Sequence, residues 1–384
     1  MAAEEEKTGP LRGLVVIEMA GIGPVPLAGL ILSEMGATVV RIERHPAASS
    51  FLPMKGERDL DRHGRASLAL DLKSDAGRAL LLKLIARADI LIEGFRPGVM
   101  ERLGAGPEPA FAVNPGLVYG RMTGFGQDGP LAARAGHDMT YLALTGALHA
   151  IGRKGERPVP PLNLVADYGG GTMFLVAGVL AALVEKGRSG KGQVVDAAMV
   201  DGASMLMAPT WGMMSAGYWR DQRGSNLLDG ACPFYDTYET GDGGHVAVAC
   251  LEPQFFAEFA RLLPLDEAYL ARQYDPSCWE AMRDEIAARL RLKSRDEWAS
   301  RFEGTDACVA PVLSMEEAAR HPHNVARDLV VASGPVRRPA PAPRFSRTPS
   351  ALARFERARP AKTLALFGLE AEADDLVSAG VIGE

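Results

Sequence analysis

At 384 residues the chain has room for two domains and a core of ample size. Hydrophobic residues make up 47% and charged residues 23%, the balance of a soluble globular protein. A net charge of −6 and a pI of about 5.8 exclude a chain built to bind nucleic acid, though not a local basic pocket for a phosphorylated small molecule.

The first ten residues, MAAEEEKTGP, are acidic and polar, the opposite of a secretory signal. Residues 11–125 then alternate strand and helix signals. LVVIE (14–18) is a short apolar run, AGIGPVP a turn, LAGLILSEMG a helix closed by Gly36, and TVVRIE (38–43) a second strand. SLALDL (67–72) follows, and Ser74 caps DAGRALLLKLIARA, where Leu80, Leu81, Leu84 and Ile85 keep helical spacing. DILIEGF (89–95) and LVYGRMTGF (117–125) are two more strands. Apolar strands separated by helices predict a parallel sheet covered on both faces.

AGHDMTYLALTGALHAIG (135–152) reads as one helix after Gly136, with a proline-rich loop beyond it. In PLNLVADYGGGTM (161–173) an acidic residue follows a strand-like run and precedes three glycines and a helix. Those glycines either let backbone approach an anionic ligand or form a plain loop behind an N-cap Asp167. MFLVAGVLAALV (173–184) is short of the ~20 residues of a membrane span and reads as a buried helix. GKGQVVDAAMVDG supplies a further strand and helix start, and FYDTYETGDGGHVAVA two alternating runs around a Gly-rich turn, a hairpin. Residues 254–330 are mainly helical, and GPVRRPAPAPRFSRTP (334–349) is extended linker.

Several motifs have plain explanations. GIGPVP lacks the third glycine of a dinucleotide fingerprint, having Pro26 there, and reads as a tight turn into a proline-started helix. HPH (321–323) has no accompanying metal-ligand pattern and reads as a solvated helix start, so no metal site is expected. Cys232, Cys250, Cys278 and Cys308 show no metal or disulfide spacing, which points to a reducing, cytoplasmic setting, and Cys308 is expected buried and inert. The C-terminal VIGE is not a peroxisomal signal. His149 reads as a helix-surface histidine. Glu252, just before Pro253, suits a helix N-terminus.

Together, LVVIEMAGIGPVP, SLALDLKSD, ADILIEGFRPGVMERLG, MTGFGQDGP, AGHDMTYLALTGALHAIG, PLNLVADYGGG, GKGQVVDAAMVDG, LLDGACPFYDTYE and LEPQFF resemble the α-methylacyl-CoA racemases of the family III CoA-transferase superfamily, in order and spacing from about residue 11 to about 349. The resemblance implies an α/β fold: a large Rossmann-like, CoA-binding domain with a parallel sheet from 1–200 and 335–384, a linker at 201–227, and a smaller α+β domain at 228–334. It also implies an interlocked homodimer whose active sites lie between the large domain of one subunit and the small domain of the other.

The family's catalytic residues fall on His137, Asp167 and Glu252. Racemising a 2-methylacyl thioester removes the α-proton from one face and returns one to the other, which needs two acid–base groups and a hold on the enolate oxygen. By resemblance His137 serves one face and Asp167, with Glu252, the other. The helix start at 136–139 aims backbone N–H groups at the oxyanion, each worth about 3–4 kcal/mol. The substrate- and CoA-binding positions implied are Ile22, Arg44, Leu70, Asp71, Leu72, Lys73, Gly94, Phe95, Arg96, Arg102, Gly136, Asp138, Met139, Thr140 and Tyr141, with Arg44, Lys73, Arg96 and Arg102 meeting phosphates. MLMAPTWGMM (205–214) suits either a greasy acyl chain or core packing. No cofactor is expected beyond CoA within the substrate, and the reaction belongs to fatty-acid and lipid metabolism. The rivals are a CoA-transferase using Asp167 as nucleophile, which has no need of the His137 and Glu252 pair, and a non-catalytic acyl-CoA-binding protein.

Overall fold

The computed structural model describes residues 8–46, 54 and 56–383, so most of the acidic N-terminal segment lies outside the described residues. The chain divides into two compact units. The first comprises residues up to Thr145, Leu162–Leu206 and Asp328 onward; the second comprises Gly146–Pro161 and Met207–Arg327.

The first unit is built on six parallel strands: β1 Val15–Met19, β2 Thr38–Arg44, β3 Arg65–Leu70, β4 Ile90–Glu93, β5 Val118–Thr123 and β6 Gln193–Ala198. Their order across the sheet is β3-β2-β1-β4-β5-β6. β4 and β5 are buried throughout, as strands covered on both faces are. The third strand stops two residues earlier than SLALDL suggests. Asp71 leaves the ladder to form a turn: its Oδ1 accepts the Lys73 N–H at 3.0 Å, and its carbonyl accepts the Ser74 hydroxyl at 2.9 Å. The first helix, Pro24–Glu34, begins at the prolines, with Gly23 at φ 73° as its N-cap.

The stretch from 334 opens as structure, not linker: β10 (Val330–Ser333) pairs antiparallel with β11 (Val336–Pro339). Arg338 is 3% exposed, gives Nη1–H to the Ala353 carbonyl at 3.0 Å and pairs with Glu34, so this segment is clasped to the sheet domain by a buried charge pair. The strand-like run before Asp167 is instead a π-helix, Leu164–Thr172, continuous with the helix Met173–Ser189. The joined helix is 26 residues, long and apolar enough by length and composition to cross a membrane. Here Leu175 and Val179 pack over Gly120 of β5, while Met173 and Val184 are exposed, so it is a half-covered sheet helix and not a fully buried one.

The single helix expected after Gly136 is two short ones, Asp138–Ala143 and Ala147–Ala150, broken at Gly146 with φ 82°. The division between units falls at this break, so residues 146–161 belong to the smaller unit. The helix Met199–Leu206 stays with the sheet, and residues 207–227, read as linker, are part of the second unit.

In the second unit, β7 (Tyr235–Glu239) and β8 (His245–Ala249) form the expected hairpin. A third strand, β9 (Val309–Pro311), pairs with β8 inside the stretch read as helical. Helices Pro253–Leu262, Trp279–Leu290 and Arg295–Phe302 contribute Phe256, Phe259, Met282, Ile286, Trp298 and Phe302 to one core with Phe234 and Val246. Cys232, Cys250 and Cys278 are buried free thiols, but Cys308 is exposed, at φ 52°. Its expected burial is overturned because the chain enters β9 through a left-handed turn at that residue, which holds its side chain outside the sheet.

One buried cluster gives a stability prediction. Glu93 (1% exposed) accepts the Phe95 N–H at 2.7 Å and meets Arg121 Nε at 3.0 Å, but Arg121 also pairs with Glu101 at 2.8 Å. Burial, only partly offset by the Phe95 N–H and the shared guanidinium, pushes the Glu93 carboxyl up to about 7. A carboxyl with folded affinity above its ordinary 4.5 stabilises the fold at acid pH and loses that contribution as pH rises through about 7. Glu93→Gln is therefore expected to gain stability relative to the parent as pH rises across this window, read from urea midpoints. A difference that stays flat with pH would refute it.

Candidate active site

Strand order reverses between β1 and β4, so the connections leaving these two strands diverge and open a crevice at the carboxyl edge of the sheet. The turn after β1 carries Ile22 and Gly23, the turn after β4 carries Gly94, Phe95 and Arg96, and the connection from β5 leads to His137. At Gly23 an added Cβ would stand 3.5 Å from Asp167 Oδ2, which places the GIGPVP turn directly beside the carboxylate. That turn walls the acid.

The three glycines after Asp167 serve packing. A Cβ on Gly170 would lie 2.4 Å from Ala203 N, and one on Gly171 would lie 2.9 Å from Met199 Cγ and 3.1 Å from Ala166 O. A Cβ on Gly169 would lie 3.1 Å from Leu164 O. They let the wide π-turn lie against the helix Met199–Leu206, so this stretch is not the plain loop behind an N-cap Asp167. The Thr172 hydroxyl donates to the Pro24 carbonyl at 2.8 Å and fixes the turn to the first helix.

His137 is exposed and extended (φ −140°, ψ 168°) at the N-cap of Asp138–Ala143. The Thr140 hydroxyl accepts the His137 N–H at 3.0 Å and donates to the His137 carbonyl at 2.8 Å. Gly136 is needed there: a Cβ would be 2.5 Å from the Tyr141 ring and 2.8 Å from Thr140 Oγ1. Tyr141, 7% exposed, packs edge-on to Phe125 at 4.9 Å.

Asp138 is buried, and its Oδ1 accepts the N–H groups of Ala166 at 2.8 Å and Asp167 at 2.7 Å. Its Oδ1 is thus committed to the protein. Burial raises the proton affinity of Asp167, the Asp138 charge adds to this, and the Asn163 amide (3.3 Å to Oδ2) and His137 act the other way. Burial and the Asp167 charge also raise the Tyr141 phenol, and Arg96 is close enough to oppose them. His137, Asp138, Tyr141, Asp167 and Arg96 therefore form one electrostatic cluster.

The other anticipated positions divide by exposure. Arg44, Lys73, Arg96, Arg102, Met139 and Thr140 are exposed, Ile22 strongly so. Leu72 and Phe95 pack against the core, and Leu70 is fully buried, so its side chain has no access to a ligand. Asn163 and Gly23 were missed. Asn163 stands four residues before Asp167, a helical spacing hidden by reading that run as a strand.

Glu252 lies in the second unit, exposed at the N-cap of Pro253–Leu262, and its side chain makes no capping hydrogen bond. Met205 and Leu206 in the first unit and Trp211 in the second are all substantially exposed, so MLMAPTWGMM is not core. HPH opens the short helix Pro322–Ala326, and no metal-ligating cluster occurs among the described residues. His149 is exposed, with Nε2 3.7 Å from Asp221.

Residues 11–361 match the model of CoA-transferase family III. The chain is 47% identical over 341 residues to the α-methylacyl-CoA racemase of Mus musculus, covering 88% of this chain and 87% of that one. It is 43% identical to the α-methylacyl-CoA racemase of Homo sapiens over the same shares. Among solved structures, a CAIB/BAIF family protein from Brucella suis shares the fold with a TM-score of 0.78 at 24% identity, covering 97% of this chain and 100% of that one. The chain therefore belongs to CoA-transferase family III.

Proposed function

We propose that this protein is a racemase that interconverts (R)- and (S)-2-methylacyl-CoA thioesters through an enolate. The observation that carries the proposal is the pairing, in one cluster, of an exposed imidazole at a helix start with a half-buried carboxylate of raised proton affinity, in a chain whose relatives at 43–47% identity are α-methylacyl-CoA racemases. His137 and Asp167 are assigned to opposite faces of the α-carbon, each acting as base in one direction and acid in the other. A carboxyl that holds its proton more tightly than usual suits a group that must carry one in half of each cycle. Glu252 is assigned as the third acid–base residue. Arg44, Lys73, Arg96 and Arg102 are assigned to the phosphates of CoA, with no further cofactor, in the cytoplasm.

The test is incubation of one enantiomer of a 2-methylacyl-CoA in D2O without a second acid. Deuterium entering the α-position supports racemisation; transfer of CoA to an added acid with no wash-in of deuterium would sink it.

The working unit is proposed to be a homodimer. Ala208–Ser215, an apolar helix with no buried residue in the single chain, supports this. Sedimentation at low micromolar concentration should give two chains together, and a stable, active monomer would refute it.

A further inference from the structure

Asp138 follows the candidate proton-transfer histidine directly, yet its side chain is turned inward and is 5% exposed. Oδ1 receives two consecutive N–H groups, those of Ala166 and Asp167, in the first turn of the π-helix. A helix with i to i+5 bonding leaves its first N–H groups without acceptors of their own. One carboxylate oxygen thus closes the open start of this turn. Oδ2, equally buried, has no hydrogen-bond partner among the described residues. A buried carboxylate oxygen without a donor costs stability, so fold maintenance alone does not account for a charged residue here. An asparagine would accept the same two N–H groups without carrying the charge.

From this juxtaposition we infer that Asp138 is a positioning residue: its bridge sets the spacing between His137 and Asp167, and its unpartnered oxygen supplies the negative field in which Asp167 works. The inference rests on the racemase reading for its catalytic consequence and on the hydrogen bonds alone for its structural one. The geometry is direct. Asp138 is one peptide bond from His137 and one hydrogen bond from the Asp167 backbone, so the two proton-transfer residues share a single rigid link. The charged and titratable groups around Asp167 are Asp138 and His137 on the connection from β5, with Tyr141 and, beside it, Arg96 from the turn after β4; Asn163 is the neutral donor. Of these, Asp138 is the like charge that strengthens the hold of Asp167 on its proton.

Two variants separate the roles. Asp138→Ala removes bridge and charge; kcat for α-proton exchange should fall about 100-fold, with KM changed less than about threefold. Hydrogen–deuterium exchange of the peptide spanning 163–172 should quicken in this variant. Asp138→Asn keeps the acceptor and loses the charge. It should retain kcat within about tenfold and move the acid limb of its pH profile to lower pH, because loss of the like charge lets Asp167 ionise more readily. Parent-like kcat and amide exchange in Asp138→Ala would overturn the positioning role. Should that variant fail to fold, an unmoved acid limb in Asp138→Asn overturns the proposal. Failure of the racemase reading appears separately, as no α-exchange in the parent enzyme, and the amide-exchange comparison still decides the bridge.

Discussion

Asp167→Asn is expected to remove α-proton exchange, by about 10²–10⁴-fold, because an amide cannot accept the proton that a carboxylate takes in one direction and returns in the other. His137→Ala should lose a similar factor while still binding CoA thioesters, since the imidazole is exposed and the adjoining backbone is also held by Thr140 and Asp138. The parent's pH profile should be bell-shaped, one group protonated and the other ionised in each direction. Its acid limb should lie above the ordinary aspartate range, since burial and the Asp138 charge raise Asp167. Activity is then lost as pH falls through that raised value. The same samples, examined by intact mass or hydroxylamine trapping, should show no covalent adduct. An acyl or CoA adduct on Asp167 formed at the rate of turnover would make the chemistry acyl transfer and end the racemase reading.

Gly202→Ala should be among the most damaging single-methyl changes in the molecule. A Cβ there would stand 1.8 Å from the Gly170 carbonyl oxygen, and the neighbour is backbone, which no rotamer change can move aside. Overpacking of this kind costs about 1–3 kcal/mol or more. Relief requires the π-turn to lift from the helix Met199–Leu206, carrying Asp167 with it, so activity should fall along with the urea midpoint. Gly187→Ala is the matched control: it lies in the helix Met173–Ser189 with nothing within 4 Å of its Cβ, and should be neutral or stabilising by up to about 1 kcal/mol. Equal stability of the two variants would show that the close approach is not needed.

Much of the fold is legible in local pattern because its determinants are local. The apolar-rich runs at 14–18, 38–43, 89–95 and 117–125 suit strands covered on both faces, and each became a strand of the parallel sheet with ends shifted by a few residues. Ser74 caps its helix through the Gly77 N–H as read, since a cap needs only neighbours in sequence. His137, Asp167 and Glu252 were reached through whole-chain resemblance; the spacing of each motif alone also fitted a cap or a loop.

What tertiary structure decided is where distant segments meet. LNLVADYGGG has the composition of a strand and a loose glycine turn, yet it is a π-helix because Asp138, 29 residues before Asp167, satisfies its first N–H groups and the helix Met199–Leu206 accepts its glycine face. The Pro/Arg-rich stretch from 334 looks like linker, yet Arg338 is buried because Glu34, 304 residues away, waits as its counter-charge. A sequence states which side chains carry protons and charge. Which of them lose water, acquire a neighbour and so change their hold on a proton depends on long-range packing, and that is where the raised proton affinity of Asp167 was set.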